Sequence, residues 1–220
     1  MVRRCAFTWC YLGLYIVIEV VYASLSAHAQ DVLATWTSTS VVNLEHDPVG
    51  TLIASAFVGQ GSGIAWPVLI ALALFPANRA LGNVRTALIC LAANVIGSLV
   101  SEGIVAYRVD AGQLPVSYRH LIDVGPSYVV VAATVVALVC GGRLGRVSAG
   151  LVLVILVSAG DIFGGLSTLE VSAVGHLTSG AIALACVTPI AYRRLRPAPE
   201  AHRVTHQGSA EYSSAAQSTD

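Results

Sequence analysis

Six long apolar stretches, parted by polar breaks whose arginines recur at every second break, constrain this chain more than any other feature. A helix needs about 20 apolar residues to cross about 30 Å of hydrocarbon. By that measure the candidate spans run from Cys5 to Ser26, Ile53 to Phe75, Val84 to Tyr107, Val124 to Val139, Val147 to Ile162 and Val171 to Ala191. The fourth and fifth are short. Only the segment from Cys140 to Arg146 divides them, a turn because its glycines break the helix and its two arginines need water. An all-α polytopic membrane protein with six transmembrane helices is the fold class these stretches predict.

Composition agrees. Hydrophobic residues make up 55% and charged residues 11%, against about 25% charged in ordinary soluble domains. Net charge is zero, which gives no bulk attraction to nucleic acid. The expected partners are the lipid bilayer and other transmembrane proteins. The five cysteines are scattered, mostly in apolar runs, and their odd count argues against a disulfide framework.

Every basic residue is an arginine, and placement of the arginines sets the expected orientation. Arg3 and Arg4 precede the first span. Arg79 and Arg85 lie between spans two and three, Arg143 and Arg146 between four and five, and Arg193, Arg194 and Arg196 follow span six. The loops on the other side hold only Arg108 and Arg119, with acids such as Asp31, Glu45, Asp47, Asp110 and Glu170. Both ends are therefore expected in the cytoplasm of a multi-pass plasma-membrane protein. The start also imitates a cleavable secretory signal, with Arg3 and Arg4, an apolar stretch and Ala27-His28-Ala29. Glu19 and the length of that stretch favour a retained helix. The organisation expected is a membrane helix within 1–29, an outer loop over 30–52, a membrane core over 53–192 and a disordered cytoplasmic tail over 193–220. The tail is rich in Pro, Ser, Glu and Gln, and its His202 and His206 are too exposed to promise a metal site.

Polar residues inside membrane helices are costly and mark candidate sites. Asn94 is expected to glue helices together, and Glu102 and Asp161 to sit at the outer surface. Ser127 and His176 stand out as a pair. Both fall just inside spans that begin on the same side, about 5 Å and about 8 Å below their helix starts at 1.5 Å per residue. Gly125 flanks the serine, and Gly175, Ser179 and Gly180 flank the histidine; small residues of this kind let helices approach closely. A serine hydroxyl becomes a nucleophile when a neighbouring base takes its proton, and neutral imidazole serves that purpose. Helix-packing polar residues are the alternative reading of the same pair. Asp123, one turn before Ser127, is placed either to orient His176 or a water or to favour the helix dipole.

Four segments together resemble the rhomboid family of intramembrane serine proteases, in particular its divergent actinobacterial members. Asn43 to Phe57 is similar to the family's approach to span two, and Asn78 to Arg85 to the turn after it. Asp123 to Tyr128 resembles the Gly-x-Ser segment that opens span four, and Gly175 to Gly180 the His-x-x-Gly segment of span six. The resemblance implies a six-helix rhomboid-like bundle, Ser127 as nucleophile and His176 as general base. It implies cleavage of peptide bonds in or beside the transmembrane segments of substrate proteins, with no metal and no organic cofactor.

This sequence departs from the family at three places. Tyr128 follows the serine where active members carry glycine. The family's His-x-x-x-Asn in span two, which helps hold the oxyanion, falls on Ser62 and Trp66. Gln60 and Gly125 are the remaining candidates for oxyanion support, alongside Ser62, while Pro126 has no amide hydrogen to offer. A catalytically inactive rhomboid-like protein that binds client transmembrane helices is the alternative these departures raise. A small transporter using Asn94, Glu102 and Asp161 is a third reading, and the absence of paired broken helices argues against it.

Overall fold

A computed structural model describes residues 2–61, 63–158 and 162–195, and all regular structure among them is helical. In chain order the α-helices are α1 (Ala6–Ser24), α2 (Ala27–Thr37), α3 (Val41–His46), α4 (Pro48–Ala54), α5 (Ala65–Leu81), α6 (Asn83–Asp110), α7 (Ser127–Cys140), α8 (Arg143–Ser158) and α9 (Val171–Leu195). Three helical segments are long and apolar enough to cross a membrane: Arg3–Ser24, Asn83–Asp110 and Val171–Arg193. Shorter apolar helices, Ala65–Leu81 and Ser127–Cys140 among them, complete the bundle. The tail expected to be disordered falls, from residue 196 onward, outside the described residues.

The shortest of the central helices lies deepest. Val, Ala and Thr surround α7 on every side, and a helix apolar all round has no face to give to water. Residues from Tyr128 to Thr134 are all buried, with α5, α6, α8 and α9 packed around them. At about 21 Å for fourteen residues, α7 spans less than the hydrocarbon layer.

The second expected span is corrected. Ile53 belongs to α4, which ends at Ala54 in a single 3-10 turn over Ser55–Phe57, and the continuous helix starts only at Ala65 and runs past Phe75 to Leu81. Glycine causes the break. Gln60, Gly61 and Gly63 all have positive φ, and the Gly59 N–H donates to Glu19 Oε2 at 3.1 Å instead of to a helical carbonyl. A Cβ at residue 59 would stand 1.8 Å from the Tyr15 hydroxyl oxygen, so only glycine fits this contact. The intramembrane acid of α1 thus secures the loop before α5.

Proline inside α5 is tolerated for a similar reason. Pro76 has no N–H to donate to the carbonyl one turn back, at Leu72. Ser148 of α8 donates its hydroxyl to Leu72 O at 2.7 Å and satisfies the orphaned group. Gly145 permits that approach, since a Cβ there would lie 3.0 Å from the Pro76 ring.

A clasp of two asparagines ties the start of the chain to the α5–α6 turn. Asn78 Nδ2 donates to Asn83 Oδ1 at 2.9 Å and to Arg4 O at 3.3 Å. Asn83 Nδ2 donates to Arg3 O at 3.0 Å, and its Oδ1 accepts the Phe7 N–H at 3.1 Å. Gly82, with φ +83°, makes the one-residue turn. Arg3, Arg4, Arg79 and Arg85 therefore share one end of the bundle. The opposite end carries the acidic groups: Arg119 pairs there with Glu45 and, at 3.2 Å, with Asp110.

The stretch expected as an outer loop is folded into α2, α3 and α4, and it straps the segment before α7. Thr39 N–H donates to Asp123 O at 3.1 Å, and Ser38 Oγ both accepts the Asp123 N–H at 2.8 Å and donates to Leu121 O at 3.3 Å.

Candidate functional site

Ser127 is the first residue of α7, so it sits at the mouth of the bundle and shallower than the expected span start at Val124 implied. Gly125, at φ +143°, turns the chain into the helix. Its N–H donates to Ser55 O at 2.8 Å, which commits that amide to the fold and leaves it unavailable to an oxyanion. The Ser127 side chain lines a small polar cavity of about 10 Å³ with Thr39, Ser55, Asn94 and Ser98. That space suits about one water molecule. Asn94 donates its amide to Leu52 O at 2.9 Å, so it also performs the expected helix-gluing role.

Tyr128 points elsewhere, as successive helical residues must, about 100° apart. Its hydroxyl donates to Asp123 Oδ2 at 2.8 Å. Its ring meets His176 edge-on, with centroids 5.2 Å apart and planes at 86°. Glycines make the room. A Cβ on Gly175 would lie 2.0 Å from the tyrosine oxygen, and one on Gly97 of α6 would lie 2.4 Å from Ser179 Oγ. Ser179 in turn donates to Ala93 O at 2.9 Å, joining α9 to α6.

His176 is buried, at 4% exposure. Its Nδ1 lies 2.9 Å from Ile162 O. A carbonyl only accepts, so Nδ1 carries the proton of the neutral ring and Nε2 is a bare acceptor. Nε2 is buried with no hydrogen-bond partner. The histidine lines an apolar groove of about 440 Å³ between α7, α8 and α9, walled by Val135, Leu138, Leu156 and Leu184 among others.

Ser127 and His176 consequently open into different cavities, with Tyr128 reaching from one side chain's helix to the other's. Among the described residues no hydrogen bond joins them. Asp123 approaches the histidine only through Tyr128, and it also accepts from Thr39 Oγ1 at 3.4 Å. Burial pushes the Asp123 carboxyl above the ordinary range, and the hydrogen bonds from Tyr128 and Thr39 oppose the rise. Gln60 sits exposed in the turn before α5 and lines neither cavity. Ser62 lies outside the described residues. Trp66, in the first turn of α5, packs partly buried against the core. No cluster of three metal-binding side chains occurs among the described residues, whose cysteines are all free.

Glu102 is not at the surface as expected. It is 2% exposed on α6, and neither carboxylate oxygen has a hydrogen-bond partner. Asp161 lies outside the described residues. Sequence reasoning passed over Ser98 as Ser127's neighbour and Ser38 and Thr39 as the straps of Asp123. The first had a signal: Asn94, Ser98, Ser101 and Glu102 recur at three- and four-residue spacing, which puts them on one face of α6.

Similarity to known proteins agrees with this architecture. A family model described as rhomboid-like protein matches residues 1–196. Neither a curated protein nor a solved structure matches the chain significantly. A bundle of apolar helices, with the Gly-x-Ser and histidine segments of α7 and α9 brought side by side and nearly the whole chain matched, makes this a multi-pass membrane protein that belongs to the rhomboid-like family.

Proposed function

We propose that this chain is a six-span plasma-membrane protein, both ends cytoplasmic, that binds transmembrane segments of client proteins without cutting them. The observation that carries this reading is the separation of the two side chains that hydrolysis would need. Ser127 faces the polar cavity beside Asn94 and Ser98, whereas His176 faces the apolar groove. A serine–histidine dyad works through a hydrogen bond of about 2.6–3.2 Å, and Tyr128 occupies the histidine's approach. The Gly125 amide is already committed to Ser55, and removing a single oxyanion donor typically lowers turnover by about 10²–10³.

The test uses the full chain in membranes, exposed to a fluorophosphonate probe and co-expressed with single-span proteins carrying a photo-crosslinker. Crosslinks that persist in Ser127→Ala and His176→Ala, with no cleaved product and no serine-dependent labelling, support the proposal. Labelling or cleavage that Ser127→Ala abolishes would overturn it.

One observation favours the second reading, an intramembrane serine endopeptidase with Ser127 as nucleophile and His176 as base. The imidazole is held in the tautomer a general base requires, with Nδ1–H donated to Ile162 O and Nε2 bare. On that reading a substrate would have to move Tyr128 aside for the hydroxyl to reach Nε2.

A further inference from the structure

We infer that the groove between α7, α8 and α9 receives a client helix carrying a serine or threonine near its outer end, whose hydroxyl donates to His176 Nε2. The inference rests on the client-binding reading and names the chemistry by which a client is chosen.

The groove is apolar almost throughout, and Leu153, Leu177 and Leu184 on its rims are 38%, 50% and 50% exposed. In a bilayer, apolar exposure alone recruits nothing, because lipid tails cover it equally well. His176 changes that. It is 4% exposed, it lines the groove, and its Nε2 is an acceptor without a partner. A buried polar atom left unpaired costs about 1–3 kcal/mol, so an occupant that supplies the missing donor is favoured over one that does not.

The ring's tautomer decides which occupant that is. Nδ1–H is used by Ile162 O, so Nε2 demands a donor. The ester groups and acyl chains of common glycerolipids offer acceptors or nothing. A helix supplies donors readily through Ser and Thr, which hydrogen-bond across membrane helices. Gly180 and Ala181 lie along the same groove, and small residues there let a second backbone approach. The depth follows from position: His176 is about 8 Å below the start of α9. The client hydroxyl should lie at that depth, about one and a half turns from its own outer end.

The test places the full chain in phosphatidylcholine proteoliposomes with fluorescent single-span Leu/Ala helices and reads energy transfer. One helix carries serine at the matching depth, one alanine there, and one serine at its centre. The expected result is binding about threefold or more tighter for the matched serine than for alanine, and no gain for the central serine. His176→Phe should erase the difference while the alanine helix still binds. Ala181→Trp, at an exposed position that leaves the core untouched, should weaken all three. Equal binding of the matched serine and alanine helices, or a preference that survives His176→Phe, overturns the inference and leaves client binding standing. No binding of any helix overturns both. Displacement of the matched helix by added diacylglycerol, which carries a free hydroxyl, would make a lipid the occupant and also overturn it.

Discussion

Tyr128 fills the space that a side chain on residue 175 would take: a Cβ there would come within 2.0 Å of its hydroxyl oxygen and 2.1 Å of Cζ. The tyrosine cannot retreat without losing its 2.8 Å bond to Asp123. Helices α7 and α9 are therefore registered by one ring set against one bare backbone.

Gly175→Ala should destabilise the protein by about 1–3 kcal/mol, the usual effect of overpacking. Tyr128→Ala should relieve it, so the double variant loses less than the sum of the single ones. Thermal unfolding in detergent of the four proteins reads the coupling. Additive losses would mean that the ring and the glycine do not compete for space.

Two glycines of similar sequence context should respond oppositely to alanine. Gly59→Ala drives a methyl into the Tyr15 hydroxyl and disturbs the Glu19 contact that holds the loop, so stability should fall by about 1–3 kcal/mol. Gly13 lies in the interior of α1 with nothing near its missing side chain. There alanine should add about 0.5–1 kcal/mol through lost backbone freedom in the unfolded chain. A loss at both positions would contradict the geometry of the loop.

Glu102→Gln should raise the unfolding temperature. The native carboxylate is buried with both oxygens unpartnered and close enough to Asp123 for the two charges to repel. A buried charge without a partner is among the more expensive features a fold carries. A gain on the order of 1 kcal/mol is expected, and a fall in stability would show that the carboxylate has a stabilising partner.

Asp123 gives the protein a pH dependence of definite sign. Its folded carboxyl is held above the ordinary range, chiefly by burial, so the folded chain binds this proton more readily than the unfolded one. Stability from this group is full below the ordinary carboxylate pKa of about 3.9 and declines as pH rises through the folded value. Asp123→Asn should flatten that decline. The difference between wild-type and variant unfolding temperatures, followed from pH 4 to about pH 8, measures it; a difference that shrinks toward high pH reverses the assignment.

Much of the architecture was legible because membrane helices announce themselves by length and apolarity. The long apolar runs containing α1, α6 and α9 carry enough hydrophobic residues to be found without knowledge of their neighbours. The start of α5 was misread because Ile53 to Phe75 is apolar throughout, and apolarity does not register that Gly59 must pass under Tyr15. Glu102 was placed by its nearness to a helix end, which says nothing about which face of α6 the bundle encloses. For the site, sequence order brought Ser127 and His176 to neighbouring helices at similar height. It could not tell which way each points. That depended on whether the residue after the serine was small, and Tyr128 takes up the contact with α9 that Ser127 was expected to make.

The asparagine clasp at the other end has a consequence for how the chain meets an anionic membrane surface. Because Asn78 and Asn83 hold the Arg3 and Arg4 carbonyls, four guanidinium groups from three separate helical segments act as one anchor. Each basic residue near an anionic leaflet contributes about 1 kcal/mol, and the contributions are pooled. Removing any one arginine leaves the rest in place, so polarity in the bilayer is buffered against single substitutions. The clasp itself is the point where that redundancy ends.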